Sequence, residues 1–236
     1  MAEQVTQPIK PVPNEVVKYT WGFEVEGRNL ILGNKTPKSG LYHGGNGGYQ
    51  GAIVSNTVGD FSDVTDTITE FLPVVNSSNL ARNVDTAKDF LGEVGKKGRA
   101  GLSVVDAFVK IEKDEQANDA VRVEFARLGR GKIYIVRGDN IYDLFKSQDR
   151  TDLFDDRVVQ EGRWSLVSNE VVILVTEGLD AYLNENKIKE LMKKSGGVLR
   201  NFNDLAMEFV RDELKKYRGA TLKDGSIVSI KVTKNT

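Results

Sequence analysis

Short runs that favour an extended backbone, gathered in batches, set the limits on this chain. Leu102–Ile111, Ala120–Leu128 and Lys132–Val136 are rich in Val, Ile, Phe and Tyr and are separated by polar turns, the pattern of β-strands. Links this short leave no room for a crossover, so the three are expected to form an antiparallel meander. Val16–Val25, Asn29–Leu32 and Gly51–Ser55 are similar runs nearer the N-terminus. The last follows His43-Gly-Gly-Asn-Gly-Gly-Tyr-Gln-Gly51, which is expected to be a hairpin loop. Trp164–Val167, Val171–Thr176 and Ile227–Val232 complete the set.

Between the strand batches the apolar period changes. Val64, Ile68, Phe71, Leu72 and Val75 recur at helical spacing behind Ser62 and Asp63, either of which can cap a helix. A weaker helix is expected over Leu80–Leu91, ended by the glycines and lysines that follow it. Two more are expected at Glu185–Lys194 and Asn203–Tyr217, the second with Leu205, Phe209, Val210, Leu214 and Tyr217 along one face. Three of the five prolines, Pro8, Pro11 and Pro13, fall in the first thirteen residues, so residues 1–15 are expected to be a flexible arm. No internal repeat and no later linker divides the rest, and residues 16–236 are expected to be one α+β domain in which strands outnumber helices.

Composition narrows the chemistry. The 33 Lys and Arg nearly balance 34 Asp and Glu, so a nucleic-acid surface is not expected. Lys96-Lys97, Lys193-Lys194 and Lys215-Lys216 lie at helix ends, where a cation complements the dipole. No apolar run is long enough to span a bilayer, and no signal-peptide core opens the chain, which gives a cytoplasmic protein without membrane contact as the expectation. The absence of cysteine excludes disulfides, zinc–thiolate sites and thiol nucleophiles, and one histidine, His43, excludes multi-histidine metal sites. Any chemistry must rest on oxygen ligands, hydroxyls, Lys or Arg. Gly44–Gly51 does not satisfy a nucleotide-binding pattern, and no strained strand-to-helix turn presents a serine.

Four stretches, taken in order, resemble the PPM (type 2C) metal-dependent serine/threonine protein phosphatases. Ala126-Arg-Leu-Gly-Arg-Gly-Lys-Ile-Tyr-Ile-Val-Arg137 is similar to the family's strand–turn–strand, keeping Ala126, Gly129, Tyr134 and Arg137. Asn169-Glu-Val-Val-Ile-Leu-Val-Thr-Glu-Gly-Leu-Asp-Ala-Tyr-Leu183 resembles the strand that ends at the family's metal site and turns into a helix. Lys223-Asp-Gly-Ser-Ile-Val-Ser-Ile-Lys-Val232 resembles the terminal strand, and Ala52–Asp60 the early A-V-x-D-G-M-G-G strand and turn. The resemblance covers about residues 50 to 232, with the helical region between the β-halves trimmed. It implies the family's four-layer α/β/β/α sandwich of two antiparallel sheets flanked by helices.

The departures bear on activity. The resemblance implies two manganese or magnesium ions, which need carboxylates at strand ends. Where the family has its central aspartate this chain has Ser55-Asn-Thr-Val-Gly59, offering neutral Ser55, Asn56 and Thr57. Gly33-Asn-Lys-Thr36 puts Lys35 and Thr36 where acids would stand. Glu177 and Asp224 remain as vestigial ligand positions, and Asp60 is a weak candidate beside Asp63 and Asp66, which equally suit a helix N-terminus. Lys35 with His43 is a further candidate for a phosphate contact, weighed against two solvated side chains. Two carboxylates do not hold four positive charges in a dry cleft. The expectation is therefore a pseudophosphatase with no catalytic residue, no cofactor and a protein partner, acting as a regulatory or scaffolding module. Its interaction rim would include Asn56, Thr57, Asp63, Asp180 and Lys223, or the N-terminal arm. The alternatives are an active manganese- or magnesium-dependent phosphate-ester hydrolase with a site rebuilt from Asp60, Glu177 and Asp224, or a structural component of a larger assembly.

Overall fold

A computed structural model describes residues 20–30, 39–46, 49–56, 107–113, 120–127, 131–145, 160–216 and 224–235. The strands are β1 (Thr20–Leu30), β2 (Ser39–Asn46), β3 (Tyr49–Asn56), β4 (Ala107–Lys113) and β5 (Val121–Arg127), then β6 (Lys132–Arg137), β7 (Asn140–Asp143), β8 (Gln160–Leu166), β9 (Val171–Val175) and β10 (Gly225–Asn235). They form two antiparallel sheets, ordered β1-β10-β9-β6-β7 and β2-β3-β4-β5-β8. The helices are α1 (Glu177–Asp180), α2 (Glu185–Lys194) and α3 (Leu199–Lys216).

The apolar run Val171–Val175 is buried at every position, as a strand covered on both faces must be. Alternation sorts it. Val171, Ile173 and Val175 join the cluster formed with Leu179, Ile188, Phe202, Ala206 and Val210 from the helices, so Val172 and Leu174 point the other way, toward the second sheet. Register carries that division across the first sheet, with Ile133 and Val228 opposite Leu174, and Ile135 and Ile230 opposite Val172. The result is helices on one sheet and that sheet on the second. The helices expected at Val64–Val75 and Leu80–Leu91, which would supply the fourth layer, lie outside the described residues, as does the N-terminal arm.

Four expectations are corrected. Lys132–Val136 does not continue a meander: β5 pairs with β4 and β8, while β6 lies in the other sheet beside β9 and β7. Alternation alone cannot say which sheet receives a strand. The two runs Val16–Val25 and Asn29–Leu32 meet in one strand, β1, because polar Glu26 and Arg28 lie on its helix side, where Arg28 Nε donates to Asp204 at 2.7 Å. The glycine stretch does lie in a hairpin, but most of it is strand and not loop: Gly44 and Gly45 belong to β2, and Gly51 to β3 opposite Gly44, so the strands pair as far as Asn46 opposite Tyr49, with residues 47–48 outside the described residues. In α3 the buried stripe is Phe202, Asn203, Ala206, Met207, Val210 and Leu214, turned from the expected face so that Leu205 and Phe209 only flank it. The turn reflects Asn203, whose Nδ2 donates to the Glu26 carbonyl at 2.9 Å while its Oδ1 accepts from Ser229 Oγ at 2.7 Å. A polar residue is thereby buried with its hydrogen bonds made.

Helix α2 spans the expected residues. Asn184 caps it, accepting from the Lys187 amide at 3.0 Å, and Lys193 and Lys194 sit in the last turn. Gly196 and Gly197, with φ of 64° and 76°, turn the chain into α3, a conformation that costs a residue with Cβ.

Candidate functional site at the strand ends

Three strands of the first sheet finish together. Leu30 at the end of β1 lies opposite Gly225 at the start of β10, and Ile227 of β10 lies opposite Val175 at the end of β9. One step beyond, Thr176 N donates to the Ser226 carbonyl at 3.0 Å, and Ser226 N donates to Thr176 Oγ1 at 2.9 Å. Ser226 Oγ donates to Asn29 Oδ1 at 2.6 Å. Alternation places Asn29, Ser226 and Thr176 on the face that carries Val228 and Leu174, toward the second sheet. They form a neutral hydrogen-bonded row at the mouth between the sheets, with Thr176 and Ser226 fully buried and Asn29 exposed.

Thr176 also starts α1, its carbonyl accepting from the amides of Leu179 and Asp180. Leu179 is fully buried and lies on Gly225: a Cβ there would come within 2.4 Å of Leu179 Cγ, closer than carbon atoms pack. Glycine at 225 is what lets the strand end and the helix meet.

The expected site residues fall around this row in part. Glu177 is the first residue of α1 and is placed by its backbone. Asp180 closes α1, half-buried. Asp224 is buried just ahead of β10, two residues before Ser226, the spacing at which strand alternation returns to one face. Asn56 ends β3 opposite Ser39, and His43 sits in β2 opposite Ala52. Lys35, Thr57, Asp60, Asp63, Asp66 and Lys223 lie outside the described residues. Among the described residues no group of three or more His, Asp or Glu side chains could hold a metal ion. The row itself is neutral and its oxygens serve one another. Asp224 adds one carboxylate.

A charged link of another kind joins two of the sequence stretches quoted above. Arg137 at the end of β6 makes a bidentate pair with Glu170, Nε to Oε1 and Nη2 to Oε2 at 3.1 Å. Glu170 Oε2 also accepts from the Val167 amide at 3.1 Å, and Arg137 Nη2 donates to the Ser165 carbonyl of β8 at 3.0 Å. The Glu170 hydrogen bond holds the Arg137 guanidinium above its ordinary pKa despite the opposing effect of burial. These residues brace the sheets rather than build a reactive site. Opposite charges at the ends of two β-runs were the only sequence signal for the pair.

A second feature had no sequence signal. At the side away from β1, the edge strands β7 and β8 leave an open groove of about 460 Å³ floored by Phe125, Tyr142 and Trp164.

No family model matches the chain, and no curated protein matches it. Solved structures do. The phosphatase domain of the cell fate determinant SpoIIE from Bacillus subtilis matches with a TM-score of 0.60 at 14% identity, over 93% of this chain and 96% of that one. The catalytic domain of the serine/threonine protein phosphatase PstP in complex with two manganese ions matches at 0.60 and 10% identity, over 92% of this chain and 100% of that one. A bacterial serine phosphatase matches at 0.64 and 13% identity, over 91% of this chain and 99% of that one. At such identities the likeness establishes the fold, and activity has to be argued from the residues.

Proposed function

We propose that this chain, which carries the fold of the PP2C-type phosphatases, is a pseudophosphatase: it does not hydrolyse phosphate esters and acts as a regulatory or scaffolding module that binds a protein partner. The observation that carries the reading is the row Asn29–Ser226–Thr176. It lies at the ends of β1, β10 and β9, beside Glu177 and Asp224, the positions at which the resemblance implies metal ligands, and its own groups are neutral and serve one another. Acidifying an attacking water by a pair of divalent ions requires anionic oxygens that fix the ions and leave coordination sites open. Here Ser226 spends its hydroxyl proton on Asn29, and Thr176 Oγ1 accepts from a backbone amide. The arrangement suits a closed strand end better than a reactive one. The rim beside it, with Asp180 and the residues that lead into β10, is the surface offered to a partner.

Thermal unfolding with and without millimolar manganese or magnesium, with aryl-phosphate hydrolysis read in the same samples, tests the proposal. A metal bound only by the native state adds about 2.7 kcal/mol at a hundred times its dissociation constant, which for 236 residues raises Tm by roughly 5–10 °C. The expected result is no shift and no turnover. A shift accompanied by turnover overturns the proposal, and loss of both on replacing Asp224→Asn would assign the chain to the hydrolases.

A further inference from the structure

The Arg137–Glu170 pair does more than tie two sheets together, as the backbone groups it holds show. Among the described residues β8 ends the second sheet, with β5 on its paired side. A strand in that position leaves every second residue with an N–H and a C=O turned away from its neighbour. The Val167 amide, one step past β8, donates to Glu170 Oε2 at 3.1 Å, and Glu170 stands just ahead of β9 in the first sheet, so this amide points away from β5. Ser165, two residues earlier, turns its groups the same way, and its carbonyl accepts from Arg137 Nη2 at 3.0 Å. The pair thus supplies one donor and one acceptor to this end of β8, as the backbone of a further strand would.

The turn from β8 to β9 sets this up. Glu170 N donates to the Val167 carbonyl at 3.3 Å, and Asn169 takes a φ of 71°, which asparagine adopts more readily than most residues. The turn is fixed to β10, where Asn169 N donates to the Val232 carbonyl at 2.7 Å and the Glu170 carbonyl accepts from Val232 N at 3.0 Å. The Glu170 carboxylate, 3% exposed, is thereby folded back beside the strand end and holds Arg137 there. The Val167 side chain is 45% exposed, so β8 runs out in an outward apolar residue. Unpaired backbone groups beside an apolar side chain invite another chain to add, and charged side chains are one natural defence. Here the charges come from the facing sheet.

We propose that the Arg137–Glu170 pair guards the end of β8 against strand addition by a second copy of this chain. A second copy is the occupant because β8 can pair with itself. Laid antiparallel about Trp164, two copies set Ser165 opposite Arg163 and Val167 opposite Glu161, residues that all lie on the alternation whose backbone groups leave β5. The guarded groups enter this register twice, once from each strand, as a two-fold contact requires. With the pair in place the Ser165 carbonyl and the Val167 amide are already occupied. Without it both become available to the incoming strand.

Replacing Arg137→Met and Glu170→Met together in the full-length chain removes both charges, so that neither is left buried alone, and withdraws both side-chain partners from the strand end. The expected result is a weight-average sedimentation coefficient that rises with protein concentration more steeply than that of the unaltered chain, with circular dichroism unchanged. Adding Ser165→Pro is expected to bring the coefficient back, because proline removes the outward N–H that an added strand needs and leaves the β5 side paired. A folded double variant that associates no more than the unaltered chain overturns the proposal, and so does association that Ser165→Pro leaves in place. Hydrogen exchange read by NMR on the unaltered chain covers the case in which the double variant does not fold. The Val167 amide is expected to be protected there, and exchange at the rate of an open amide overturns the proposal.

Discussion

Removing the Arg137 guanidinium should cost more stability than its half-exposed position suggests. Its partner decides the magnitude. The Glu170 side chain is only 3% exposed, and without Arg137 it keeps a single described donor, the Val167 amide. Breaking a buried pair from one side leaves an uncompensated charge, worth about 3–5 kcal/mol. Arg137 itself is 42% exposed, so water enters the vacated space and the lower end applies, about 3 kcal/mol. The loss also removes the hydrogen bond to Ser165 and the guanidinium from above the Trp164 ring, 5.8 Å from its centroid, both of which tie β6 to β8. For a chain of this length Arg137→Ala should lower Tm by roughly 6–12 °C. The diagnostic variant is the double one. Glu170→Gln removes the charge yet keeps an acceptor for Val167, so Arg137→Ala with Glu170→Gln should be more stable than Arg137→Ala alone, by about 1–2 kcal/mol in urea unfolding. A single variant that loses under about 1 kcal/mol, or additive effects in the double, would class the pair with ordinary surface ion pairs and refute the reasoning.

Gly225→Ala, which sets a Cβ 2.4 Å from Leu179 Cγ, should destabilise by about 1–3 kcal/mol through overpacking, and Leu179→Ala should absorb part of that cost in a double-mutant cycle read by urea unfolding. Asn184→Ala removes the cap of α2 and should cost about 1 kcal/mol, read as a lowered urea midpoint. The hydrogen bonds from Lys187 and then Lys194 hold the exposed Glu190 carboxyl at about 2, against an ordinary 4.5. A depressed carboxylate stabilises the fold in full above the ordinary value and stops doing so as pH falls through about 2. Carboxyl NMR titration should find the depressed midpoint, and Lys187→Ala should move it up.

The sequence made the elements legible where one physical cause dominated. Val171–Val175 is unambiguous because five consecutive apolar residues before a polar stop suit a strand buried on both faces. Helix α2 is equally clear, since Asn184 at its start and two lysines before Gly196 mark both ends. Errors arose where a tertiary partner outweighed local pattern. The polar residues Glu26 and Arg28 split β1 into two expected runs, because their partners, Asn203 and Asp204 of α3, lie far away in sequence. The short strand β7 was missed because its four residues carry no period, and only Gly138 at φ 57° sets up the hairpin that makes it. Of the strand-end site, the positions of Glu177 and Asp224 could be read from the stretches that resemble the phosphatases. The row of Asn29, Ser226 and Thr176 could not, because it depends on the register of three strands separated by as many as 197 positions.

That row also shows how the strand ends of this fold are held together. Strand ends that converge on one mouth leave backbone groups in want of partners, and something must satisfy them and hold the ends together. Carboxylates there can accept from backbone amides, but close together without a cation they repel one another. Hydroxyl and amide groups do it without a ligand: Thr176 answers the Ser226 amide, and Ser226 answers Asn29. The first sheet is meanwhile held by its apolar faces and by the Arg137–Glu170 brace at the opposite end of β9, neither of which depends on the mouth. The stability of the first sheet thus rests on residues apart from the strand ends. If the proposed loss of catalysis holds, the sheets and helices are expected to stay in place, since the groups that hold them lie away from the strand ends.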